Sequence, residues 1–342
     1  MNFTQYEKKF RSKAIKSAYS EDEISACLEY AKPLIISDLP VIYNTANLAA
    51  LVGYRTNYLK RSVKYTSYYY REFFIKKSNG KLRRLVEPLP SLKEIQNWIL
   101  NNILYKVKVS RYAKAYVRER NLIENVKFHK GQPAVLKLDI SDFFGSIRLD
   151  HVETIFRDLG YSSNVANLLA KLCCNDEVLP QGAPTSPYLS NLYLRSFDET
   201  LSKYCNENEI RYTRYADDLT FSGKKDSLNI IEFVEHQLSV IDLVLNHKKE
   251  KLMLRNERQL ITGIVVNDKL QVPKKDRNFI RNEVHFLSQF GLNDHLKKTG
   301  NRRNNYLAHL LGKINFALHV NQNDSRMQKY KETVLEIINA QI

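Results

Sequence analysis

Two aspartates sit side by side in the stretch RYTRYADDLTFSG, at Asp217 and Asp218. Ile210, Tyr212, Tyr215, Leu219 and Phe221 are the apolar or aromatic members of the runs on either side, so the pair is read as the tip of a hairpin. Neighbouring carboxylates in such a place repel each other and cost desolvation free energy. A third, Asp139, ends the short apolar run AVLKLD, 78 positions before Asp217. If the hairpin pairs beside that strand, three carboxylates converge, and divalent cations would offset their repulsion. Mg²⁺ favours hard oxygen ligands and takes few carboxylates, leaving the rest of its octahedron to water and substrate phosphates. Two such ions about 4 Å apart can clamp the attacking and leaving oxygens of an in-line displacement at phosphorus. Taken singly, Asp217-Asp218 is a polar hairpin tip, Asp139 a strand-end cap and Asp142 an N-cap of the turn that follows. Only the joint pattern reads as phosphoryl transfer.

Charge supports that reading. The chain has 342 residues and a net charge of +16, which points to a polyanionic partner. The charge is segregated: residues 1–130 carry net +14, residues 131–240 net −6 and residues 241–342 net +8. An acidic centre for cations between basic walls for phosphates is what a polymerase needs. Hydrophobic content of 43% predicts a folded chain, long enough for two or three packed subdomains. No apolar run approaches the roughly 20 residues of a membrane span, and the start, MNFTQYEKKFRSK, has no signal-peptide apolar region. A cytoplasmic location with no membrane partner is therefore expected. The four cysteines lack zinc spacing; Cys173-Cys174 reads as a reduced buried pair, while Cys27 and Cys205 stand alone.

The elements that must position the aspartates follow from local signals. Residues 1–55 read as helical, with SEDEISACLEYAKPLI opening on a serine before acidic residues. FFIKKSNGKLRRLVEP reads as a hairpin turning at Asn79-Gly80. SLKEIQNWILNNILYKV has helical spacing, and helical pattern recurs in HVETIFRDLGY, in NVANLLAKLCC and at about 226–241. LPQGAPTSP is a Pro/Gly loop leading into a helix, strands are expected near LVLNHKKEKLML and RQLITGIVVN, and the tail is basic and mostly helical. The fold class expected is α+β.

In order, LKLDISDFF, LPQGAPTSP, YADD, LVLNHKKEK and ITGIVV resemble the successive motifs of reverse transcriptases, and the likeness runs from about Phe73 to Asn267. The chain resembles bacterial retron reverse transcriptases in particular. NVKFH, Asn125 to His129, is similar to their N-A-x-x-H motif with Val126 in place of Ala, and ITG, Ile261 to Gly263, is similar to their V-T-G. The resemblance implies a right-hand polymerase with fingers, an antiparallel palm sheet and a helical thumb. Its expected parts are an N-terminal helical extension (1–55), fingers (56–135), palm (136–267, with fingers/palm helices about 151–178) and an RNA-binding thumb (268–342).

The resemblance also implies roles. Asp139, Asp217 and Asp218 are the expected catalytic, metal-binding carboxylates, with the Ile140 carbonyl completing a metal shell. Phe144 falls at the steric gate that excludes a ribose 2′-OH, and Gln181 at the nucleotide and template pocket. Arg83 matches the finger arginine that grips the triphosphate, its fork suited to phosphate oxygens, with Lys77 or Lys76 as a second contact. Lys249 matches the lysine that protonates departing pyrophosphate. RNA contact is expected at Asn125, His129, Ile261, Thr262 and Gly263, and at the tail cluster Lys297, Lys298, Arg302 and Arg303. The implied cofactor is two Mg²⁺ ions. The implied partners are dNTPs, the enzyme's own structured noncoding RNA (msr-msd), its msDNA product and a separate effector protein in anti-phage defence. Priming from a guanosine 2′-OH is implied too. A group II intron-like or diversity-generating reverse transcriptase would share the chemistry but not the RNA. A non-catalytic RNA-binding scaffold would have lost a metal carboxylate, and all three are present.

Overall fold

The computed structural model describes residues 2–76, 80 and 82–340. Lys77 and Asn79 of the expected fingers hairpin lie outside the described residues.

The N-terminal region forms helices at Phe3–Lys16, Glu21–Ile36 and Thr45–Val52. The serine and acids at the second of these form a capping box. The Ser20 hydroxyl accepts from the Glu23 N–H at 3.3 Å, and the Glu23 carboxylate accepts from the Ser20 N–H at 2.9 Å. Strands β1 (Tyr70–Lys76) and β2 (Leu82–Pro88) form the expected antiparallel hairpin, in register from Tyr70 opposite Pro88 to Lys76 opposite Leu82. The helix Pro90–Asn102 follows and buries Leu92, Ile95 and Ile99.

The central sheet contains β3 (Ala134–Asp139), β4 (Arg211–Tyr215), β5 (Asp218–Gly223) and β6 (Lys251–Leu254), in the order β4-β5-β3-β6 and antiparallel throughout. β3 is central, which explains why AVLKLD is largely apolar rather than alternating: both its faces are covered. Leu136 and Leu138 point into the main core, shared with the helices Leu149–Asp158, Ser163–Cys173, Ser186–Tyr193 and Arg195–Glu207. Val135 points the other way, into a second core with Met253. Only Lys137 and Asp139 give that second face a polar end.

RQLITGIVVN does not join the sheet. It forms a separate small hairpin, β7 (Leu260–Ile261) and β8 (Ile264–Val265). Ile261 and Ile264 anchor it in the second core, with Ile280, Leu310 and Ile314 of the helical tail. That tail comprises Lys274–Thr299, broken at Gly291 (φ +72°), Tyr306–Val320 and Ser325–Asn339. The layout is that of a right-hand polymerase: a fingers hairpin, an antiparallel palm and a helical thumb. Cys173, Cys174 and Cys205 are buried thiols, and among the described residues no helix is long and apolar enough to cross a membrane.

Candidate active site

The β3–β5 register sets Asp139 opposite Asp218, and directly opposed residues have Cβ atoms about 5 Å apart. β4 and β5 are joined by the two-residue loop Ala216-Asp217, since Tyr215 pairs with Asp218. The loop is tied to β3 by the Ile140 N–H, which donates to the Asp217 carbonyl at 3.1 Å. Asp139, Asp217 and Asp218 therefore share one corner of the palm.

The strain of this turn falls on Ala216, whose φ of +59° is one that glycine ordinarily supplies at the first position of a type II′ turn. Beneath it lies a wholly buried ion pair. Arg214 donates to both Asp198 oxygens at 2.8 and 2.7 Å, to the Asn191 side-chain oxygen at 3.0 Å and to the Ala216 carbonyl at 3.2 Å. Tyr212 donates its hydroxyl to Asp198 at 2.8 Å. Nearly every polar atom of the pair is satisfied, which is the condition for tolerating buried charge. Sequence reasoning passed over Arg214 and Asp198. The signal was available: strand alternation places Arg214 on the core face with Tyr212, and a core arginine requires an acid.

Electrostatics show what the corner lacks. Burial, then the charge of Asp139, raises the pKa of Asp217. Burial also raises that of Asp218; Lys137, 3.8 Å away, pulls it down and Asp139 pushes it up. Both carboxylates are thus held in surroundings that disfavour their charge. Lys249 donates to the two Asp139 oxygens at 2.7 and 2.8 Å. Burial opposes its ammonium, but the Asp139 hydrogen bond and the neighbouring acids outweigh it and raise its pKa. Among the described residues no three acidic, histidine or cysteine side chains close into a metal cage. The donor set nevertheless suits a hard divalent cation: carboxylate oxygens destabilised by mutual repulsion, beside the Ile140 carbonyl, which accepts no hydrogen bond from the described residues.

A cavity of about 620 Å³ opens on this corner, lined by Asp139, Ile140, Asp217 and Lys249 and by Arg83 of β2, Phe144 and Gln181. Seven of the expected site residues thus meet around one space large enough for a nucleotide. Asp218, opposite Asp139 across the sheet, is not among the lining residues. The backbone of Gln181 docks the fingers: the Val86 N–H of β2 donates to its carbonyl at 2.9 Å. Tyr116, which sequence reasoning did not single out, also lines the cavity. Its ring lies 6.4 Å from that of Phe144, and its φ of +62° is an outlier for an aromatic residue.

Other expectations are corrected by burial. Asn125 and His129 do not reach a surface where RNA could touch them; both are wholly buried. The His129 ring hydrogen-bonds the Ser222 and Thr213 hydroxyls at 2.7 and 2.8 Å, and Thr213 donates to Asn125 at 2.6 Å. Burial drives the His129 pKa down to about 3, so the ring is neutral. The motif clamps the helix Leu122–Lys127 onto the palm sheet. Ile261 is buried too, so it offers RNA no side chain. Thr262 and Gly263 form the turn of the β7–β8 hairpin, both with positive φ (+43° and +84°); Gly263 is exposed, whereas Thr262 is half-buried and its hydroxyl is buried without a partner among the described residues. Lys297, Lys298, Arg302 and Arg303 are all exposed, gathered at the end of the helix that Gly300 caps.

Residues 75–290 match the family described as reverse transcriptase (RNA-dependent DNA polymerase). The chain is 30% identical to the retron Ec86 reverse transcriptase of Escherichia coli over 235 residues, covering 68% of this chain and 73% of that protein. It is 29% identical to the retron Ec83 reverse transcriptase of Escherichia coli over 292 residues, covering 79% and 89%. A telomerase structure from Candida albicans is similar over 79% of this chain and 63% of that one, with 10% identity and a TM-score of 0.47. Motif order, palm geometry and relatives agree, and the chain belongs to the bacterial retron reverse transcriptases, which are RNA-directed DNA polymerases.

Proposed function

We propose that this polymerase copies part of its own structured noncoding RNA (msr-msd) into msDNA, starting from the 2′-OH of a guanosine in that RNA. The product would be a branched RNA–DNA molecule, serving anti-phage defence with a separate effector protein. In this reading residues 56–135 act as fingers, 136–267 as palm and 268–342 as an RNA-gripping thumb, behind a helical extension at 1–55.

One observation carries the reading: Asp139 and Asp218 oppose each other across β3 and β5 with Asp217 in the adjoining loop, beside a cavity that also holds Arg83, Phe144 and Gln181. Reverse transcriptases use divalent metal ions. Here Asp139, Asp217, Asp218 and the Ile140 carbonyl would hold two Mg²⁺, which neutralise phosphate charge and help to ionise the attacking hydroxyl. The chain's own groups do the rest. Arg83 holds the triphosphate in the fork of its guanidinium, and Gln181 orients the nucleotide against the template. The Phe144 ring occupies the space a ribose 2′-OH would need. Lys249, whose ammonium faces this corner, gives a proton to the departing pyrophosphate. Lys297, Lys298, Arg302 and Arg303 meet the phosphates of duplex RNA, whose recognition is largely by shape and backbone.

Two measurements test this. Primer extension with dNTPs should be abolished in Asp217→Ala and in Asp218→Ala; undiminished incorporation removes the site assignment. Nucleic acid copurified with the protein and sequenced on both strands should be a self-primed, 2′-branched hybrid. Linear cDNA copied from an unrelated transcript would instead indicate a group II intron-like or diversity-generating role.

A further inference from the structure

A second cavity, about 370 Å³, lies at the other end of β4 from the carboxylates. β4 starts at Arg211 and ends at Tyr215, so at about 3.3 Å per residue the two sites are roughly 13 Å apart along the strand. One wall is the segment that covers the β4 edge. The Arg214 N–H donates to the Tyr112 carbonyl at 2.9 Å, and the Lys114 N–H to the Arg214 carbonyl at 2.7 Å. Arg111, Lys114 and Arg211 face the cavity, and no carboxylate is among its lining residues.

Two aromatic faces accompany the cations. The Arg111 guanidinium lies 4.9 Å from the Tyr112 ring centroid and donates to its hydroxyl at 2.6 Å. The Arg211 guanidinium lies 5.9 Å from the Phe128 ring centroid and donates to the Phe128 carbonyl at 2.9 Å. Phe128 itself is 44% exposed, though His129 beside it is wholly buried. A large ring is thus held at the surface by an anchored neighbour. Lys114 is half-buried, and no carboxylate comes within ion-pair distance of it among the described residues. Burial, then the charge of Arg120, lowers its pKa. The charge of Glu124, beyond ion-pair distance, offsets this only in part.

Rings that stack bases, beside cations that take phosphates, are how proteins hold unpaired nucleic acid. An acidic peptide would satisfy the cations and leave the rings unused. We propose that this pocket binds one unpaired nucleotide of the RNA the enzyme carries, its base against Phe128 and its two flanking phosphates at Lys114 and Arg211. The inference rests on the RNA-partner reading above. It also relocates the RNA contact expected of the segment Asn125 to His129: Asn125 and His129 fix the backbone, and Phe128 between them meets the ligand.

The probe is a short single-stranded oligouridylate carrying one 4-thiouridine. Cross-linking to the full chain should map to the Phe128 or Tyr112 peptide. Phe128→Ala should weaken binding about tenfold, within the range for losing one stacked base. Lys114→Gln/Arg211→Gln should flatten the plot of log K against log salt by about 1.4, that is, about 0.7 per phosphate. None of the three side chains is wholly buried, so both variants should stay folded by thermal melt and still extend oligo(dT) on poly(rA). Unchanged affinity and slope, with cross-links only in the thumb, overturn the proposal, and so does loss of polyglutamate binding alone, which would mark an acidic protein partner. A parent protein that extends no primer would instead sink the polymerase reading beneath it.

Discussion

Gly182 has a φ of +142°, and a Cβ built on it would lie 2.7 Å from the Val86 carbonyl oxygen and 3.1 Å from its carbon. Both obstructing atoms are backbone, so no side chain can swing aside. The Val86 N–H also donates to the Gln181 carbonyl at 2.9 Å, so β2 of the fingers is laid directly on the Gln181-Gly182 backbone. In Gly182→Ala, restoring ordinary contact at 3.4 Å requires a separation of about 0.7 Å. That stretches the hydrogen bond to about 3.6 Å, beyond useful range, losing about 0.5–1.5 kcal/mol. A non-glycine residue in this backbone region adds about 1–3 kcal/mol. The hairpin, anchored at its base by buried Tyr70 and Val86 but exposed along its outer half, should take up the shift and carry Arg83 away from Asp217. Misplacement approaching 1 Å can cost up to about 100-fold in rate. Single-nucleotide incorporation on oligo(dT)-primed poly(rA) should therefore show a KM for dTTP raised about tenfold or more, with primer–template affinity unchanged. If KM and kcat both stay within about twofold of the parent, the fingers are not seated by this contact and the reasoning fails.

Phe144→Ala should raise incorporation of ribonucleotides relative to deoxynucleotides by roughly 10-fold or more, the scale of a pocket's steric discrimination; undiminished discrimination would mean the ring only packs beside Phe143 and Tyr116. His129 makes stability depend on pH. Its pKa falls from 6.5 unfolded to about 3 folded, so its contribution is whole above about pH 6.5 and is lost as pH falls toward 3. Between about pH 7.5 and about pH 5.5 the loss works out at about 1.4 kcal/mol by linkage. Urea melts at the two pH values should show that loss in the parent and a shallower one in His129→Asn; parallel slopes would refute it. Arg214→Gln leaves Asp198 as an unpaired buried charge and should cost about 3–5 kcal/mol. Adding Asp198→Asn should restore part of it, and a double variant no more stable than the single one would show that the charge is not what matters.

The carboxylates were legible because their chemistry is written in residue type and the strands around them in alternation. Asp139 and Asp217, 78 positions apart, could be brought together by one assumption about strand pairing, and the register of β3 with β5 meets it. The hairpin, the capped second helix and the helical tail announced themselves through local signals. Burial was not legible in the same way. Asn125 and His129 look like polar candidates for RNA because their types are polar. Only the packing of the helix Leu122–Lys127 on the Thr213 and Ser222 hydroxyls turns them inward. Backbone strain was hidden for a related reason. Ala216 and Tyr116 carry positive φ that neither residue type favours, and such values are imposed by surroundings.

Some of the positive-φ residues, which also occur elsewhere in the chain at Ala18 and Asp38, border the catalytic corner. Tyr116, Asp142 and Ala216 have φ of +62°, +38° and +59°. Tyr116 and Asp142 line the main cavity, and Ala216 immediately precedes Asp217, which lines it too. Left-handed backbone outside glycine costs of order 1–3 kcal/mol each and persists only where neighbouring structure over-determines it. Here that structure is identifiable: the Arg214–Asp198 pair under Ala216, β3 holding the loop through Ile140, and Lys249 spanning Asp139. Phosphoryl transfer leaves a protein little covalent work, so its contribution lies in fixing charge and position before the substrate arrives. Carboxylates kept close against their own repulsion, on backbone kept strained by a buried ion pair, are such a fixed arrangement. Cationic charge entering this corner would offset the repulsion between its carboxylates, which ties the site's cost in stability to its chemistry.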